Sequence, residues 1–175
     1  MSTVAAPNAR LSPAQRPVAQ HLVEGLSSAE TAEQLWVTAS TVTSHLRRIR
    51  ANLHCESRCS RAVLTHTLLQ HGLVKPPALP PLFEPFTPSP GALLLLRAIA
   101  EHSATADIAR AAKIAPSSLK ARTRKLVYAM RASDSAHLVG LGHTLGLLGP
   151  TQPAGTVTGH PVNAARPVSP RKRTP

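Results

Sequence analysis

Residues 27–53 read SSAETAEQLWVTASTVTSHLRRIRANL, and the fold turns on them. Ser27 or Ser28 is placed to cap a short helix that carries Ala32 and Leu35 inward. Thr38 is placed to cap a second helix, running from Ala39 to about Leu53. In that helix Val42, Leu46, Ile49 and Leu53 share one face and must pack against neighbouring helices. The opposite face holds Thr43, Ser44, Arg47 and Arg50, with Arg48 to one side and the hydroxyls of Ser40 and Thr41 at the helix start. An apolar back and a front of hydroxyls and guanidinium groups fit the DNA major groove. There Arg can bond guanine bidentately and Thr can meet base edges or the thymine methyl. Arg48 is suited to a phosphate. A solvated helix face is the competing reading of the same arginines.

Working outward, Ser12-Pro13-Ala14-Gln15 has the form of a helix start, with a Ser cap, Pro at the first helical position and Gln capping back. That first helix ends near Gly25. A fourth is expected over Cys59 to His71, stopping at Gly72. A core of Leu, Val, Ile and Ala follows from a composition with one Trp, one Tyr and two Phe, and it suits helices better than sheets.

Twenty Lys and Arg against eight Asp and Glu give a formal charge of +12, which points to a polyanion such as nucleic acid. No stretch approaches the ~20 apolar residues of a membrane span, and residues 1–10 hold no hydrophobic signal region. Cys55 and Cys59 are too sparse for a disulfide scaffold. A cytoplasmic protein, associated with the nucleoid, is the expectation. His54, Cys55 and Cys59 lack the second ligand pair of a zinc finger, so no metal is expected. With two aspartates, no Gly-rich phosphate loop and no paired acids, neither catalysis nor a cofactor is expected.

The chain also repeats itself. A shift of 77 residues aligns Ser12-Pro13 with Ser89-Pro90, Glu24 with Glu101, Ala32 with Ala109, Ser40 with Ser117 and Arg47 with Arg124. The same shift, with no gap, brings His66-Thr67-Leu68 onto His143-Thr144-Leu145 and Gly72 onto Gly149. Two copies of one fold are implied. The expected architecture is all-α: a flexible N-terminus (1–10), a four-helix module (11–74), a Pro-rich linker (75–87), a second module (88–149) and a disordered basic tail (150–175).

Residues 11–74 resemble the LuxR-type (GerE-type) helix-turn-helix domain. The resemblance runs through Leu11-Ser12-Pro13, Val18, Leu22, Glu24-Gly25-Leu26-Ser27, Glu30, Ala32, Leu35, Thr41-Val42, His45-Leu46-Arg47, Ile49, Leu53, Ser57-Arg58 and His71-Gly72-Leu73-Val74. It implies a third helix in the major groove, base contacts at Thr43, Ser44 and Arg47, and a dimer contact through the fourth helix. Three positions depart from the family. Pro17 stands where an acidic residue is usual, Trp36 where the turn often has Gly, and Thr43 where Lys is frequent. Many members carry a sensor domain ahead of the helix-turn-helix; with ten residues before it, none is expected there.

The second module is a degenerate copy. Thr123 falls at the position of Leu46 and Ala112 at that of Leu35, so a looser core is expected. It keeps its charge, at net +5 against +2 for the first. Ser117, Ser118, Lys120, Arg122, Arg124 and Lys125 are its candidate DNA contacts. A pseudo-dimer within one chain, or a homodimer, is expected through the fourth helices, with Gly142 and Gly146 admitting a partner helix. Two functions stand open. One is a sequence-specific regulator on double-stranded DNA; the alternative is an interaction module acting on RNA polymerase or another regulator, with weak DNA binding.

Overall fold

The computed structural model describes residues 10–55, 59–80 and 87–149. Among them the chain is all-helical, with eight α-helices and no strand: α1 Gln15–Val23, α2 Ser28–Gln34, α3 Ala39–Asn52, α4 Arg61–Gln70, α5 Pro90–Glu101, α6 Thr105–Ala111, α7 Pro116–Ala129 and α8 Ser135–Thr144. The expected tail, residues 1–9 and the linker residues 81–86 lie outside the described residues.

Short polar caps set the starts of most helices. Ser12 and Gln15 bond each other reciprocally, at 2.9 and 3.3 Å, but α1 itself begins at Gln15 rather than Pro13. This start also accommodates Pro17, which falls in the first turn, where backbone N–H groups have no acceptor inside the helix. Ser27 and Glu30 form a capping box at 2.7 and 3.2 Å, and these bonds hold the Glu30 carboxyl below its usual range. Thr38 caps α3 through the Thr41 N–H, and Ser60 caps α4 through the Val63 N–H. The Ser60 cap explains why α4 is shorter than the expected span from Cys59 to His71. In the second half Ser89 and Asp134 cap α5 and α8, whereas α6 and α7 start without a side-chain cap.

The shift of 77 holds for α2 against α6 and for α3 against α7, end to end. It fails at the fourth helix. The connection between α7 and α8 is three residues shorter than that between α3 and α4, so α4 and α8 correspond at a shift of 74. Gly72 (φ 61°) therefore corresponds to Gly146 (φ 69°), not to Gly149, and each glycine follows its helix in the same turn. Two expectations change as a result. His66 and His143 are not equivalent positions, and Gly146 lies beyond the end of α8 instead of sharing a face with Gly142.

Two apolar cores form, and each borrows from the other half. The first gathers Val18, Leu22, Val42, Leu46, Ile49, Leu64 and Leu68, together with Ala136 of α8. The second gathers Leu95, Leu96, Ile99, Leu119, Leu126, Met130, Leu138 and Leu141, together with Ala62 of α4. Ala62 and Ala136 are equivalent at the shift of 74, so the exchange is reciprocal. Accordingly α4 packs against α8, α1 against α8 and α4 against α5. Gly140 admits α1 here: a Cβ on it would stand 2.8 Å from the Val23 carbonyl oxygen and 2.9 Å from Pro77. Gly142 faces Leu96 and Leu148 of its own half, so it does not serve the partner helix as expected.

Polar contacts tie the junction further. The Ser60 N–H donates to Ser103 Oγ at 2.9 Å, and Ser133 Oγ donates to the Gly25 carbonyl at 3.1 Å. Arg61 Nη2 donates to the Leu26 carbonyl at 2.7 Å, while its Nε stands 3.6 Å from Asp134. Thr144 Oγ1 reaches the linker at the Pro77 carbonyl, 2.7 Å away.

The halves differ in how well they are filled. In the first, Val42, Leu46, Leu22 and Arg61 close the space between α1, α3 and α4, leaving no room for water. In the second, Thr123 replaces Leu46 and Ser135 replaces Arg61. The corresponding space, lined by Ile99, Ile108, Leu119 and Thr123, is a hollow of about 360 Å³.

Candidate nucleic-acid interface

α3 is held by its apolar side: Val42, Leu46 and Ile49 are buried against α1 and α2. That anchoring leaves Thr43, Arg47 and Arg48 exposed to solvent and Ser44 half-buried. Thr43 Oγ1 donates back to the Ala39 carbonyl at 2.9 Å, so its methyl and its oxygen lone pairs are what the surface presents. Ser40 and Thr41 join the Thr38 hydroxyl at 2.8 and 2.9 Å, forming a polar cluster at the N-terminus of α3. Arg50 is placed differently from the expectation. Half-buried, it donates through Nε to the Cys59 carbonyl at 3.2 Å and braces the connection to α4.

α7 repeats the arrangement with more charge. Leu119 and Leu126 are its buried contacts, and Ser117, Lys120, Arg122, Arg124 and Lys125 are exposed, with Ser118 half-buried. Arg122 and Lys125 border an open groove of about 530 Å³ between α7 and the start of α5, floored by Ala92 and Leu95. No acidic side chain among the described residues pairs with any cation on α3 or α7. Two surfaces thus present unneutralised cations and hydroxyls on rigid helices, an arrangement able to bond phosphate oxygens and base edges.

Of the expected residues, Ser40, Thr43, Arg47, Arg48, Ser117, Lys120, Arg122, Arg124 and Lys125 are exposed, and Thr41, Ser44, Arg50 and Ser118 are half-buried. Among the exposed residues outside the expected set are Tyr128 on α7 and two in the turns. Trp36 and Lys113 stand at equivalent places in the turns before α3 and α7. The shift of 77 pairs them already in the sequence; their exposure depends on turn geometry that no periodicity reports.

Residues 9–65 match the family model described as bacterial regulatory proteins, luxR family. The match takes in α1, α2, α3 and the first half of α4. No curated protein and no solved structure matches the chain.

Proposed function

Because residues 9–65 form a luxR-family helix-turn-helix domain, we propose that the protein is a sequence-specific regulator of transcription that reads double-stranded DNA with α3. The observation that carries this reading is the row Thr43, Arg47 and Arg48, solvent-facing, with neither guanidinium in an ion pair among the described residues, on a helix whose opposite side is fixed in the core. Arg47 is assigned to base reading, Arg48 to phosphate, and Ser40, Thr41 and Ser44 to contacts at the entering end of the helix.

The second half, residues 88–149, acts as a further helix-turn-helix module, with Lys120, Arg122, Arg124 and Lys125 on DNA. The packing of α4 on α8 supports an arrangement in which one chain supplies both halves of a pseudo-dimer. Two such helices read successive major grooves about 34 Å apart. Their sites differ, because Thr43-Ser44 and Lys120-Ala121 differ. The protein works in the cytoplasm, at the nucleoid.

A gel shift of the full chain against fragmented genomic DNA, with unlabelled competitor, tests the reading. Selection of particular fragments is the expected result. Retention of all fragments alike, or of none, would favour a protein target such as RNA polymerase.

A further inference from the structure

The turns before α3 and α7 each close the preceding helix with a left-handed residue, as His54 and Arg131 close α3 and α7 themselves. Trp36 and Lys113 both hold φ at 54°, in the left-handed region. Side chains other than glycine are disfavoured there, because Cβ crowds the following carbonyl. Each nevertheless projects into water. Trp36, the single tryptophan of the chain, is 94% exposed, and Lys113 is exposed as well. An indole so placed buries nothing, and a glycine would make the same turn at less cost.

Both residues immediately precede the helices that carry the outward cations, two positions ahead of the N-caps Thr38 and Ala115. An indole and an ammonium differ in charge, size and shape. What they share is an N–H donor at the end of a long, partly apolar side chain. The partner that suits both is one offering acceptors alone at the same place in each half. The phosphate backbone beside the major groove has that character, and the chain's positive charge complements it.

We propose that Trp36 and Lys113 are phosphate contacts at the groove edge. The indole Nε1–H of Trp36 and the ammonium of Lys113 donate to backbone oxygens, and so fix the depth and angle at which α3 and α7 enter. Contacts of this kind position a protein on the duplex without reading sequence. The inference rests on α3 and α7 being the DNA-reading helices, and it adds two residues outside those helices.

Trp36→Gly and Lys113→Gly in the full chain test it. Glycine adopts the left-handed conformation freely, so both variants should unfold at the same or higher denaturant concentration than the parent. A merely structural role predicts the reverse. Each variant should bind about tenfold more weakly, the worth of one charge-assisted hydrogen bond, and equally so on a selected fragment and on random duplex. Lys113→Gly should also lower the slope of log affinity against log salt by ~0.9, whereas Trp36→Gly, removing a neutral donor, should leave the slope unchanged. Trp36 fluorescence in the parent should respond to added duplex. Parental affinity in both glycine variants would overturn the proposal, and it would do so alone if Arg47→Ala still lost base preference. That outcome would assign the exposed indole to a protein partner. A parent chain that binds no duplex would overturn this inference and the reading of α3 together.

Discussion

His66 of α4 and His143 of α8 meet across the junction of the two halves, with Nδ1 of the first 2.8 Å from Nε2 of the second. Their rings lie 5.0 Å apart between centroids, inclined at 46°. One nitrogen must donate and the other accept, so the contact requires an unprotonated nitrogen. Burial lowers the pKa of both rings, against the pull of Glu101 on His66. Burial and the neighbouring His66 push His143 down to about 4.

The pH dependence of stability follows from that depression. An unfolded histidine takes up a proton near pH 6.5, whereas folded His143 resists until about pH 4 and folded His66 is lowered as well. The unfolded chain therefore binds more protons in this window. Stability is at its full value above about pH 6.5 and falls as pH drops towards 4. His137, also lowered by burial, acts in the same direction. Urea midpoints at about pH 7.5 and about pH 5 should differ clearly in the parent, and less so in His143→Gln. Equal losses in the two proteins would remove the histidine pair from the account.

Arg47→Ala should cost about 1 to 3 kcal/mol at a selected DNA site and relax base preference there. Arg48→Ala should weaken binding evenly across sequences. Competition against a panel of site variants reads both effects; an Arg47→Ala protein with parental affinity and preference would take base reading away from α3.

Affinity should fall steeply with salt, at ~0.9 log units per phosphate neutralised. Because each core includes an alanine from the other half, truncation would damage both, and the share of α7 is better measured in the intact chain. Replacing Lys120, Arg122, Arg124 and Lys125 with Gln should lower the slope by several such steps. An unchanged slope would leave α7 off the DNA.

Gly140→Ala places a methyl against the Val23 carbonyl oxygen and Pro77, where backbone must move, and should cost about 1 to 3 kcal/mol. Gly91→Ala is the control: it meets nothing within 4 Å and should stabilise the helix by about 0.4 to 1 kcal/mol. Similar effects from both would mean that α1 and α8 do not approach so closely.

Thr123→Leu restores the side chain that Leu46 provides in the other half and extends into the hollow of about 360 Å³. A gain of about 0.5 to 2 kcal/mol is expected from urea unfolding. A loss would show that the threonine hydroxyl matters more than the unfilled space.

What the sequence made legible was what caps and periodicity encode. Ser27, Thr38 and the apolar spacing of Val42, Leu46 and Ile49 were enough to place α2 and α3 and the outward row of Thr43 and Arg47. The fourth helix of the second half was misread because connections have no periodicity. An identity of three residues, together with paired glycines, favoured an ungapped register that the shorter α7–α8 connection breaks. The bond from Arg50 to the carbonyl of Cys59 was not legible, because a helical wheel does not show a later segment coming back beside the helix. The exposure of Trp36 depends on one dihedral angle in a turn.

The contact between α4 and α8 joins two parts of one polypeptide, and this has a consequence for dosage. An association between separate molecules has a concentration below which it comes apart, and occupancy of a paired site then rises more steeply than in proportion to the amount of protein. A tethered contact has no such threshold, because its partner is always at the same effective concentration. Were α3 and α7 to engage one DNA site together, as proposed, occupancy would rise in proportion to the number of copies from the first few in a cell, with no inactive monomer held in reserve.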